Sequence, residues 1–378
     1  FRHVVLLMLE NRSFDHMLGA LQAALPEVDG VPPNGPPRVN RDNAGAEYKQ
    51  LPMRTRRIDP DPGHETPNVL VQLKDNNGGF VVDYSDTHPD SSPAQRAQVM
   101  GYYERRDVPA LHTLAAQFAV CDAWFCSVPG PTWTNRLFAM SGTSQGRVKM
   151  PQGIFQPNLH RYDQPSVFRR LEEAGRSWRV YHGDFPLALL LEDQRGGGME
   201  NYWPIRWFAR HAKGPADDFP EFAFIEPDYL WPTTNDDHPP HDIRNGQRLI
   251  AEIYNAIRAN DELWRSTVLV ITYDEHGGFF DHVGPPCATP PDKHTEEYTF
   301  DQYGVRVPAV VVSPWLRQQV CKTPLDHTSL LRSLSARWGL GAMGARVSGA
   351  NDLLGSLRPA SEMRANTPRR LAAGPVPA

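Results

Sequence analysis

Short apolar runs rich in β-branched residues recur along this 378-residue chain, at 4–9, 118–121, 178–181, 222–225, 268–272 and 307–312. Stretches of helical periodicity separate them, at 165–174, 242–259 and 328–338. In the second of these, Ile243, Ile250, Ile253, Tyr254 and Ile257 fall on one face and form an apolar stripe. Strands alternating with helices predict an α/β fold, a mainly parallel sheet sandwiched between helices. No internal repeat interrupts the rhythm. The pattern fits a single domain over 1–357, with an inserted cap-like stretch at roughly 183–240. The last residues, 358–378, lack an apolar period and are expected to fray or drape over the surface.

In open parallel sheets, functional side chains collect where strands end, because loop tips can face a ligand while the strands hold them still. Two pairs of oxygen-bearing side chains obey this rule. Glu10 and Asn11 directly follow the first apolar run, within ENRSFDHMLG, and Asp274 and Glu275 follow VLVITY, within YDEHGGFFDHV. If those strands are neighbours, the four side chains supply oxygen ligands to one divalent cation. Taken singly, each acid is as well explained as a cap or a surface charge. It is their joint placement that argues for a site.

A third cluster, VPGPTWTNRLFAMSGT at 128–143, places Thr132 at the expected start of a helix. Helix N–H groups there favour an anion, whether a phosphate or a developing alkoxide. A threonine hydroxyl is almost fully protonated at neutral pH, so it needs a base or a metal to become a useful nucleophile. Asn135 and Arg136 lie within one turn of it. A plain N-cap is the competing reading for Thr132.

Taken together, ENRSFDH, GPT-x-x-NRLF and YDEHGGFFDHV resemble the bacterial phosphoesterase family of phospholipases C and acid phosphatase A. DPGH at 61–64, GGF at 78–80, NDDHP at 235–239 and DHTSLLR at 326–332 extend the resemblance in the same order. DPGHETP and PTWTNR depart from the commoner DPGHSW and PTNPNR forms while keeping the histidine and the threonine. The resemblance implies an alkaline-phosphatase-like core, one metal ion and a transiently phosphorylated hydroxyl. Its metal ligands fall on Glu10, Asn11, Asp274 and Glu275, with Thr132 as both ligand and nucleophile. Its phosphate-facing histidines fall on His64 and His238. Asn135, Arg136, His182, His282 and His327 are further candidates for substrate binding. His282 and His327 each follow an aspartate, a pairing that serves equally to pin a loop, and His16 reads as structural. The implied substrate is a phosphate ester, a phospholipid diester ahead of a monoester, and the implied compartment is periplasmic or secreted. A non-catalytic phosphate- or headgroup-binding protein is the alternative of a different class.

Composition adds exclusions. A net charge of -5 offers no broad attraction to nucleic acid or an anionic membrane. No apolar run reaches the length of a membrane-spanning helix, which leaves peripheral contact with lipid open. The oxygen-rich ligand set suits calcium, magnesium or manganese, and zinc also accepts it. The four cysteines have no zinc-site spacing and allow one or two disulfides. Tyr202, Trp203, Trp207, Phe208, Tyr229 and Trp231 crowd the cap-like stretch, where ordinary packing is favoured over a cage for a quaternary ammonium.

Overall fold

Runs that are apolar at every position, rather than at alternate ones, belong in strands covered on both faces. The computed structural model, which describes residues 1–149, 161–196, 198–230, 232 and 234–372, puts them there. All seven residues of β1 (His3–Leu9) and all seven of β8 (Thr267–Tyr273) are buried. The two pair in parallel, with Leu9 opposite Tyr273. A small antiparallel hairpin of β2 (Val39–Arg41) and β3 (Glu47–Lys49) stands apart. The other strands are β4 (Ala119–Cys121), β5 (Trp178–His182), β6 (Tyr202–Pro204), β7 (Phe222–Glu226), β9 (Ala309–Val312) and β10 (Gln319–Cys321). The sheet runs β10-β4-β9-β8-β1-β7-β5-β6.

Among the described residues of this eight-stranded sheet, only β9 runs against its neighbours, β4 and β8. A parallel return needs a crossover that carries the chain back to the starting edge, usually on a helix. Residues 274–308 contain none, so the chain stays at the edge where β8 ended and enters β9 from there.

All six predicted strands form, as do the three predicted helices, at Val167–Glu173, Ile243–Arg258 and His327–Trp338. Every member of the predicted Ile243–Ile257 stripe is at most 3% exposed. Two short edge strands, β6 and β10, escape sequence reading because three residues give no period to detect.

The stretch 183–240 contributes β6 and β7 to the central sheet, and its loops supply Asp184, Phe185, Leu187, Tyr229 and Leu230 to the lining of the cavity that also holds Thr132. Four of the six aromatics in that stretch pack conventionally: Tyr202 edge-on to Trp178, Phe208 edge-on to Tyr181, and Trp203 and Trp207 around His211. Trp231 lies outside the described residues. The tail drapes, as far as it is described: Tyr254 donates to the Pro368 carbonyl, and Asn255 exchanges two hydrogen bonds with the Leu371 backbone. The four cysteines are free thiols, with Cys121 and Cys321 opposite one another on β4 and β10. Among the described residues, no helix is long and apolar enough to cross a membrane.

Candidate active site

Because β1 and β8 are in register, their first residues beyond the sheet meet. Asn11 N–H donates to Asp274 Oδ1 at 3.2 Å, and Arg12 N–H to the Glu275 carbonyl at 3.0 Å. Asn11 is left-handed (φ 58°), a conformation asparagine tolerates better than most residues. Gly277 must pass close to it, since a Cβ there would lie 2.2 Å from the Asn11 carbonyl oxygen. The glycine of YDEHGG is therefore a packing requirement as well as a turn.

Thr132 opens the helix Thr132–Ser141, after Pro131 as its N-cap. Its hydroxyl donates to Asn11 Oδ1 at 3.2 Å. Asn11 Nδ2 in turn lies 3.4 Å from His64 Nε2. The hydroxyl, the β1–β8 oxygen cluster and the first histidine thus meet at one point. His238 stands beside His64, ring centroids 5.5 Å apart and nearly perpendicular. The Nδ1 atoms of both rings are held by backbone carbonyls, of Pro62 and Pro239.

Five other candidates are placed differently. Arg136 is fully buried beneath the cluster, with Nε 2.9 Å from Asp274, Nη2 3.5 Å from Glu10 and Nη1 3.9 Å from Glu226. Asn135 shapes the turn before its own helix, donating to the carbonyls of Val128, Gly130 and Pro131. His327 spans Trp124 and the Asp274 carbonyl, and so supports the ligand loop from behind. His282 is held between Asp15 and Asp29. His182 bonds to the Asp184 carbonyl and sets the turn after β5. None of the five lines the cavity over Thr132. His16 is structural as read, buried, bonded to Gly101 O and stacked on Phe279.

Electrostatics mark the cluster. Burial, then repulsion from Asp274, drives the Glu10 carboxyl well above the ordinary range. Burial raises Asp274 to about 6, against the pull of Arg136, and raises Glu226 to about 7. Three buried carboxylates thus share one buried guanidinium, an excess of negative charge that a divalent cation would relieve. Glu275 Oε1 is buried without a hydrogen-bond partner. Its other oxygen accepts from Gly277 N–H at 2.6 Å. An all-oxygen donor set with one oxygen unclaimed fits a hard cation. Burial would lower His64, but Glu275 and Asp61 hold it at about 9. Burial and the neighbouring His64 charge push His238 down to about 3.

Sequence reading missed two acids here. Glu226, at the end of β7, completes the charges around Arg136, and its signal was position alone, the last residue of FAFIE. Asp61 stands between the histidines, 3.8 Å from His64 and 3.9 Å from His238. An oxygen of Asp61 and one nitrogen of each ring lie within 4.8 Å of one another, a second group that could hold a cation. A similar trio, Asp15, Asp281 and His282, is closed by Arg306, which pairs with both aspartates.

A cavity of about 370 Å³ opens over Thr132, with Glu10, His64 and His238 also in its lining. A larger one, about 620 Å³, lies between the segment 205–213 and the helix Ile243–Arg258, and none of the predicted site residues lines it.

The phosphoesterase family model matches residues 1–341. The chain is 34% identical to non-specific phospholipase C3 of Arabidopsis thaliana, over 83% of its own length and 63% of the relative's. It is 31% identical to phospholipase C B of Mycobacterium tuberculosis, over 89% and 73%. It therefore spans a little under two thirds of the plant relative. Among solved structures, it is 12% identical to a protein in the alkaline phosphatase superfamily from Vibrio parahaemolyticus, with a TM-score of 0.41 over 66% of this chain and 64% of that one. With the match running from the first strand to beyond the helix His327–Trp338, this chain belongs to the phosphoesterase family.

Proposed function

We propose that the chain is a metal-dependent phosphoric ester hydrolase with Thr132 as nucleophile, acting on the headgroup phosphodiester of phospholipids in the manner of a phospholipase C. The observation that carries this reading is the 3.2 Å hydrogen bond from the Thr132 hydroxyl, at the head of a helix, to Asn11, whose own N–H donates to the buried Asp274. Glu10, Asn11, Asp274 and Glu275 would hold one divalent ion, with Thr132 as its fifth ligand. When bound, that ion supplies Lewis acidity, favouring an ionised hydroxyl and neutralising phosphate charge.

The residues then divide the work. Thr132 Oγ1 attacks phosphorus in line, a Thr–O–P bond forms, and the bond from phosphorus to the leaving alcohol oxygen breaks. The helix N-terminus and the two histidines face the equatorial oxygens, where the charge of a loose transition state gathers. The alcohol leaves with a proton from a histidine or water. Water then attacks the phosphothreonine, releasing the phosphorylated headgroup and restoring the hydroxyl. Arg136 favours the ionised carboxylates against the effect of burial and holds them in place from below.

Thr132→Ala should lower turnover by about 10³-fold or more, the scale lost with a covalent nucleophile, while metal content and the unfolding midpoint stay near wild type. Substantial turnover by a folded, metal-loaded variant would remove Thr132 from this role. Product analysis decides the bond: a phospholipase C releases diacylglycerol from phosphatidylcholine, whereas an acid phosphatase releases inorganic phosphate from p-nitrophenyl phosphate. Phosphate binding without hydrolysis of either, across several metals, would make the chain a binding protein.

A further inference from the structure

The cavity over Thr132 is not polar throughout. Beside the polar Glu10, His64, Glu65, Asp184 and His238, its lining carries a wall of Trp133, Phe185, Leu187, Tyr229 and Leu230. Trp133 comes from the nucleophile's own helix. The others come from two loops, one after β5 and one after β7, which have no strand pairing of their own at this height.

Two carboxylates join these loops: Glu226 Oε1 accepts from Leu187 N–H at 3.1 Å and from the Tyr229 hydroxyl at 3.5 Å, and Asp184 takes three backbone N–H groups. Asp184 Oδ1 accepts from its neighbour Phe185 N–H at 2.7 Å, and Oδ2 accepts from both Tyr229 N–H at 3.0 Å and Leu230 N–H at 2.7 Å. A carboxylate that takes three backbone N–H groups fixes their geometry more firmly than neutral acceptors would. Gly183 allows the approach, because a Cβ there would lie 2.5 Å from Asp228 Cα. The result exposes apolar surface where it meets both solvent and the catalytic floor: Leu230 is 66% exposed.

We propose that this wall is the subsite for the hydrocarbon-bearing alcohol of the phosphoester, and that Asp184 is the positioning residue that builds it. The occupant follows from continuity. A phosphate seated at Thr132 meets the ion ligands and the histidines, and, Glu65 and Asp184 aside, the rest of the lining open to its ester substituent is apolar. A small polar alcohol would gain little there, whereas an acylated glycerol buries methylenes against Phe185, Tyr229 and Leu230. The inference rests on the phosphoesterase reading for its orientation, and its test includes an arm that needs no catalysis.

In the first arm, kcat/KM is measured on two diesters with the same headgroup, dihexanoyl phosphatidylcholine and p-nitrophenyl phosphorylcholine. Leu230→Ser and Asp184→Ala should lower the ratio of the first to the second by about tenfold, the scale set by a few methylenes in a hydrophobic site. The change should appear mainly in KM. Asp184→Asn, which keeps one acceptor oxygen, should recover part of it. Equal loss on both substrates, or no change in the ratio, overturns the subsite. In the second arm, calorimetry measures binding of dihexanoylglycerol, the alcohol alone, to wild type and to the same variants. Saturable binding weakened about tenfold by Leu230→Ser supports the wall even if no ester is turned over. No binding to wild type at millimolar concentration overturns it, whatever the hydrolytic result.

Discussion

The strand-end centre and the loop wall face the same cavity, yet they are built on opposite principles. The centre grows from two central strands in register, and its groups are buried, charged and mutually constrained: Arg136 alone touches three carboxylates from three strand ends. The wall is set mainly by Asp184, is partly open to solvent, and presents apolar side chains, of which only Tyr229 reaches back to the centre, to Glu226 and Arg136. Geometry that must be held within fractions of an ångström for in-line attack belongs on the sheet. A surface that needs only to be apolar and of the right shape can be left to loops.

That contrast breaks most readily at Arg136. Arg136→Met should destabilise the chain by about 3–5 kcal/mol, the usual cost of leaving buried charges without their partner, read as a lower urea midpoint. A loss below about 1 kcal/mol, the scale of a surface pair, would mean that the carboxylates do not depend on it. Chelation comes next. Removing the divalent ion should lower stability by about 2.7 kcal/mol relative to protein held at a hundredfold excess over the dissociation constant. Restoring it should return the midpoint in wild type, but not in Asp274→Asn with Glu275→Gln. Equal response to the metal in both would move the ion elsewhere, with Asp61, His64 and His238 the next group to test.

The same contrast explains what could be read from sequence. The long, fully apolar β1 and β8 announce themselves, and the residues after them inherit a position, so Glu10, Asn11, Asp274 and Glu275 were legible as a set. Thr132 was legible because glycine and proline precede a helical run. Arg136 and Asn135 were legible as belonging to that helix, but not as lying beneath the site, because a helix start specifies spacing and not which side faces the ligand. The second histidine-bearing loop was found by its motif, while Asp61, three residues before His64, gained meaning only when His238 arrived from 174 positions later. Asp184 had no signal at all. Its role depends on three N–H groups, two of them 45 and 46 residues away, and no local pattern encodes that.

Acid should reach the centre through its supports. His112 is 2% exposed, donates to the Met17 carbonyl on the helix that follows Glu10–Asn11, and is pushed down to about 4, first by burial. Its folded pKa lies below the unfolded value, so between pH 6.5 and 4 the unfolded chain binds more protons, and stability falls as pH falls through that window. The loss should be about 2 kcal/mol between pH 7 and pH 4.5, from 1.36 kcal/mol per unit of displacement. Urea denaturation at the two pH values should show that decrement shrinking by about this amount in His112→Gln, which keeps a donor for Met17. An unchanged decrement would show that His112 titrates normally.

The smallest effect is expected at the wall. Leu230→Ser removes a side chain that is already mostly in water, so the unfolding free energy should shift by no more than about 0.5 kcal/mol, the range of ordinary surface substitutions. Asp184→Ala frees three N–H groups, but Leu230 is exposed and Tyr229 and Phe185 are only partly covered, so water can replace most of what the carboxylate gave them. A loss of about 1 kcal/mol is the scale for such a partly solvated acceptor. Should Leu230→Ser instead cost as much as a core substitution, the leucine would be packing the fold together, and its exposure at the mouth would not be free for a substrate. Near-silence in stability combined with a tenfold change in substrate preference is the signature that separates a surface kept apolar for binding from one kept apolar for folding.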